Sequence, residues 1–203
     1  VHLGSGERSW DWFFVTNTLG NPLDYELAGH SEEFLLHQGE LVSPLGLARG
    51  LQDHLHFARP GLQFLTEPGA LFVLGRLGLL LPDQDEQDPT WPTFDPQLPW
   101  QGPYFRVGPV DLHWPLQGWQ LVLENVEIYG APHPTEGGTG TVNLEARWDT
   151  RTADLVLGAG SGSLCADSVE QGGGDCVPCY DGALACLNLL LIDIPTQAWD
   201  GTL

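Results

Sequence analysis

Four cysteines stand close together near the C-terminus: Cys165, Cys176, Cys179 and Cys186, spaced C-x10-C-x2-C-x6-C. Sulfur at this density supports three chemistries. Two disulfides would staple a loop-rich segment, with three connectivities open. A four-thiolate zinc site uses the same count, and Cys176-Val177-Pro178-Cys179 is a usual half-site. A thioredoxin-like redox pair needs its C-x-x-C at a helix start after a strand; Pro178 and Tyr180 are poor neighbours for a continuing helix. The even count, the export inferred below and the glycine run Gly172-Gly173-Gly174 favour disulfides. They would act as staples rather than as an active site, each contributing about 2–4 kcal/mol by restricting the unfolded chain.

Other candidates are thinner. His54-x-His56 would put two imidazoles on one face of a strand, as in some zinc hydrolases, but the sequence supplies no third ligand. Asp83, Asp85 and Asp88 cluster hard oxygen ligands of the kind calcium takes, yet the glycine and closing glutamate of an EF-hand are missing. The expectation is therefore no cofactor, with calcium at this loop as the one candidate. Trp91, Trp100, Tyr104 and Trp114 could form a flat platform for a carbohydrate or apolar ligand if exposed; buried, they would be core. Gly158-Ala159-Gly160-Ser161-Gly162 follows the apolar Leu155-Val156-Leu157, but its glycines miss the dinucleotide spacing and no βαβ unit surrounds them. A Walker loop is impossible without lysine, and no nucleophile elbow is present.

The charge balance narrows the partners. All seven basic residues are arginines, and 27 acids bring the net charge to −20. Nucleic acids and anionic membrane surfaces are bound through Lys and Arg meeting phosphates, so both are excluded as expected partners. Protein partners or self-assembly remain. The best apolar run, Leu71–Leu81, is 11 residues long with Arg76 inside it, against the roughly 20 apolar residues of a spanning helix. A chain without methionine that begins Val1-His2-Leu3 reads as a mature exported chain after leader removal, which places it outside the cell, at its surface or in the periplasm.

The C-terminal segment, Asp149-Thr150-Arg151, a short apolar stretch, then Cys165…Cys176-x-x-Cys179…Cys186 and a closing strand, resembles uncharacterised exported bacterial proteins. The resemblance implies export and disulfides and carries no activity.

The elements that must position these residues are mostly strands. The 26 glycines and 16 prolines punctuate the chain every few residues, which leaves room for short strands and turns. Trp10–Thr18 is aromatic and β-branched, and Leu51–Ala58 alternates loosely. Short helices are expected at Ser31–His37, where a hydroxyl precedes two acids, and at Pro44–His54. Residues 82–118 form a proline-aromatic tract, expected to be extended, edge or loop structure. The clearest signal is Val142, Leu144, Ala146 and Trp148 alternating with Asn143, Glu145 and Arg147. It pairs Thr139–Asp149 with Gly118–Tyr129 in a long hairpin. Leu184–Ile194 reads as a buried closing strand.

The sequence thus predicts one β-rich domain over residues 1–203, a sandwich or irregular barrel with a few short helices and a disulfide-stapled segment at 163–188. The leading functional expectation is a structural or interaction protein, not an enzyme. A binding module for an apolar or carbohydrate ligand and a metal-dependent hydrolase are the alternatives.

Overall fold

The computed structural model describes residues 31–44, 51, 55, 59–64, 73–80, 97–98, 100–101, 104–116, 118–131 and 140–198. Within them the chain is mainly β, as the turn-rich composition predicts. Eleven strands form one curled sheet. They are β1 (Ser31–Phe34), β2 (Glu40–Ser43), β3 (Pro60–Phe64), β4 (Val73–Leu79), β5 (Gln97–Leu98), β6 (Trp100–Gln101), β7 (Tyr104–Leu116), β8 (Trp119–Ala131), β9 (Thr141–Asp149), β10 (Cys176–Pro178) and β11 (Leu184–Ala198). Two short helices, α1 (Arg151–Val156) and α2 (Ser163–Glu170), lie between β9 and β10.

The sheet order is β5-β4-β3-β1-β11-β9-β8-β7-β6. The expected hairpin is β8–β9, joined in register from Val122↔Asp149 to Ala131↔Thr141. Strand β11 is the spine. One edge pairs with β9; the other is shared in turn by β10, β2 and β1. The rings of Phe34 in β1 and Phe105 in β7 stack with centroids 6.5 Å apart. Four strand steps separate β1 from β7, about 19 Å across a flat sheet, so the sheet curls into a half-barrel and closes its inner face around the core. That core includes Leu112, Trp114, Leu121, Leu123, Val142, Leu144, Trp148, Leu187, Leu189 and Leu191.

Two expectations change, and the extended reading of the proline tract takes a definite form where it is described. Ser31-Glu32-Glu33 begins a strand, not a helix, because both its edges are used: β1 pairs with β11 and with β3. Arg59 adds a two-pronged ion pair to Glu33, at 2.6 and 2.9 Å. Leu51 and Leu55 are both buried in helical backbone. At Leu51 the helical reading of Pro44–His54 therefore holds, and at Leu51 and Leu55 the strand reading does not. In the proline tract, β7 is a long strand. It pairs with β8 along most of its length and on its other side only with the two-residue β6. Pro109 falls in the irregular step between Val107 and Val110, where a missing N–H breaks no ladder bond. Trp10–Thr18 lies outside the described residues.

Candidate functional site

Of the residues expected to do chemistry, the cysteines are fully placed. Cys165 bonds Cys176, tying α2 to β10, and Cys179 bonds Cys186, spanning the β10–β11 turn. With no free cysteine left, neither a four-thiolate zinc site nor a vicinal redox pair exists in this state. Trp114 is fully buried, so it belongs to the core and not to a ligand platform. Trp100 and Tyr104 flank the tight β6–β7 connection, Tyr104 pairing with Gln101. Trp91, His54, His56, Asp83, Asp85 and Asp88 lie outside the described residues.

The C-terminal region, residues 151–184, is built differently from the sheet. Asp154 on α1 is buried and points inward. Its carboxylate accepts the N–H of Gly162 at 2.7 Å and of Leu164 at 2.8 Å. These are the first amides of α2, and Gly162 (φ 83°) has no side chain with which to cap them. A carboxylate borrowed from α1 therefore caps α2 and welcomes its positive end. Thr150 anchors the same corner, its hydroxyl 2.9 Å from the Ala185 carbonyl. Because Asp154 and Ala153 take the inner face of α1, Leu155 and Val156 at its end face outward.

The turn after β10 is latched to the sheet. Both oxygens of the buried Glu124 accept the Tyr180 N–H, at 3.0 and 3.1 Å. Arg147, opposite Glu124 on β9, lies 3.6 Å from that carboxylate. It also donates to the Pro178 carbonyl and stacks over the Tyr180 ring at 4.5 Å. Arg151 clasps Asp149 in two bonds and reaches Asp181 at 2.5 Å. The hydrogen bond from Arg151, backed by the Ala183 N–H, holds the Asp181 carboxyl below its ordinary value, and Arg151 is correspondingly raised. Glu124 comes close to Cys179 and Cys186. With both sulfurs in the disulfide the trio offers a cation only one carboxylate, already faced by Arg147.

Two surfaces remain open. The first is a groove of about 570 Å³ on the outer face of β8, β9 and β11, lined by Asn125, Glu127, Glu145, Arg147 and Asn188 among others. Glu127 and Glu145 stand directly opposite each other, an arrangement that repels. Arg106 ion-pairs with Glu127, and the Tyr129 hydroxyl donates to Glu145 at 2.7 Å. Burial first, and then this bond, push the Tyr129 phenol above its ordinary 10.0.

The second surface is apolar. The exposed large apolar side chains among the described residues are Leu155, Val156, Leu157, Val169, Tyr180 and Leu184, all within the stapled region. Leu155, Leu157 and Leu184 are 79%, 66% and 66% exposed. Gly162, at the start of α2, lies close to the Leu184 carbonyl, 3.2 Å from where a side chain on it would begin. The sequence marked this place only as an apolar run abutting glycines. Nothing in it separated an outward Leu from an inward one, because that choice is made by Asp154.

Among the described residues, no helix is long and apolar enough to cross a membrane. The two disulfides point to an oxidising compartment rather than the cytoplasm. Comparison with family models, with curated proteins and with solved structures finds no match to this chain.

Proposed function

We propose that this chain is an exported interaction protein, a subunit of a cell-surface or extracytoplasmic assembly, and that residues 151–184 are its docking face. One observation carries the reading: among the described residues, the exposed large apolar side chains all fall in this one stapled region, which ends at Leu184 where β11 begins. Contiguous exposed apolar surface marks interaction sites, whereas scattered single residues do not. The staples and the Asp154 cap hold the face rigid, which lowers the ordering cost of docking. The test is reconstitution. A partner captured from the extracytoplasmic fraction is identified, purified and bound to the chain in isolation. The Leu155→Ser/Leu157→Ser variant is expected to weaken that complex at least about tenfold, or 1.4 kcal/mol. An unchanged affinity would reject the face.

The outer groove favours a second reading, a module for a hydroxylated ligand such as a carbohydrate. Its carboxylates and amides suit hydroxyl groups, and its volume suits a small ligand. Oligosaccharide titration followed by amide chemical shifts at Asn125, Glu145 and Asn188 tests it; shifts elsewhere, or none, would reject it.

A further inference from the structure

We infer that the docking face takes a cationic protein segment, one that presents Lys or Arg beside large apolar side chains. This rests on the docking reading above and adds the chemistry of the occupant.

The apolar residues are set in an acidic surround. Residues 151–184 contain five acids, Asp154, Asp167, Glu170, Asp175 and Asp181, and a single base, Arg151. Asp154 is turned inward to cap α2, and Asp181 is held by Arg151. Asp167, Glu170 and Asp175 remain exposed and form no ion pair among the described residues. Asp167 and Glu170 are three apart on α2, hence on one face.

Among the residues whose side chains are described, no arginine is left over to answer these charges. The chain contains no lysine. Each arginine whose side chain is described is committed internally: Arg59 to Glu33, Arg106 to Glu127, Arg147 to Glu124, and Arg151 to Asp149 and Asp181. A second copy would bring another −20 charge against the first. An anionic membrane surface would be repelled by the exposed acids of the same segment. Complementarity leaves a partner that supplies the positive charge itself, with apolar side chains to cover the leucines.

The experiment uses the full chain with its disulfides intact and three fluorescent synthetic peptides: alternating Leu and Lys, its Glu-for-Lys counterpart and its Ser-for-Leu counterpart. Anisotropy is read at low salt and again at about 0.5 M salt, where screening shrinks the reach of charge to about 4 Å. The Leu–Lys peptide is expected to bind at least about tenfold tighter than either counterpart, a 1.4 kcal/mol difference, and to weaken with salt. Leu155→Ser/Leu157→Ser and Asp167→Asn/Glu170→Gln change only exposed side chains, so both variants fold, and circular dichroism verifies it. Each is expected to cut the affinity several-fold or more. Binding undiminished by both variants is diffuse attraction to an acidic chain and overturns the inference. Equal binding of the Leu–Glu peptide, lost in Leu155→Ser/Leu157→Ser, removes the charge chemistry but keeps the docking face. Absence of binding by the Leu–Lys peptide overturns the inference too, while reconstitution with a natural partner still judges the face. So does a dimer, seen by sedimentation, that Leu155→Ser/Leu157→Ser dissolves, or docking to phosphatidylglycerol vesicles through the same leucines.

Discussion

Strand β9 and helix α1 adjoin in the chain, yet they follow opposite rules. In β9 the apolar Val142, Leu144, Ala146 and Trp148 face inward and Asn143, Glu145 and Arg147 face out. In α1 a carboxylate is buried, while Leu155 and Val156 stand in solvent. The first is held by burial, about 1.5–3 kcal/mol for each large side chain removed from water. The second belongs to a region, residues 151–184, that is held by two disulfides, the Asp154 cap on α2 and an arginine latch. A region secured by covalent and polar contacts is free to keep its apolar side chains outside, which is what the proposed docking face requires.

The contrast can be broken from either side. The largest effect is expected in the sheet: Trp148→Ala empties a core position and costs about 3–5 kcal/mol, read as a lower denaturant midpoint. A loss under 1 kcal/mol would mean burial does not hold the sheet. Next comes Cys165→Ser/Cys176→Ser, which opens a loop of sequence separation 11 and is expected to cost about 2–3 kcal/mol. Amide exchange should quicken in α2 and β10 while β8 and β9 keep their protection; uniform loss of protection would erase the distinction between the two regions. Asp154→Ala leaves the Gly162 and Leu164 amides without their acceptor and is expected to cost about 1–3 kcal/mol. Its signature is faster exchange at those two amides, and an unchanged rate would reject the cap.

The smallest effect concerns Asp181. Its folded pKa is depressed by Arg151, so its contribution is present above the unfolded value, near 3.8, and fades as pH falls through the lower folded one. Asp181→Asn should therefore lower the denaturant midpoint slightly at neutral pH, and the gap from the parent should close in strong acid. A gap that persists at acid pH would show that the Arg151 contact is not its source.

The alternation in β9, the β8–β9 hairpin and the closing β11 were legible because one face of each is buried and period two leaves a mark in composition. The stapled segment was legible as four sulfurs, though not its pairing. Ser31–Phe34 was misread because a helix-start pattern is local, whereas the pairing that decides it comes from Thr196–Ala198, far along the chain. Trp114 was named as a platform residue if exposed and as core if buried, because an aromatic side chain's type does not say which side of the sheet it takes. In the fold it is core, its indole N–H without a partner among the described residues, and the gain from hiding its large ring outweighs that lost bond. Asp154 went unnoticed because a carboxylate capping another helix has no fixed spacing to search for. The outward Leu155–Leu157 run follows from Asp154 and was hidden with it.

The shared edge of β11 bears on how the protein comes to be folded. Strands β1 and β2 are synthesised early and are recruited by a strand that comes some 150 residues later. Until residues 184–198 arrive, the half-barrel has no spine on which to close, and such distant pairings form slowly. The 27 acids then serve the waiting chain as much as the finished one, because self-repulsion keeps its unpaired strands from meeting those of its neighbours.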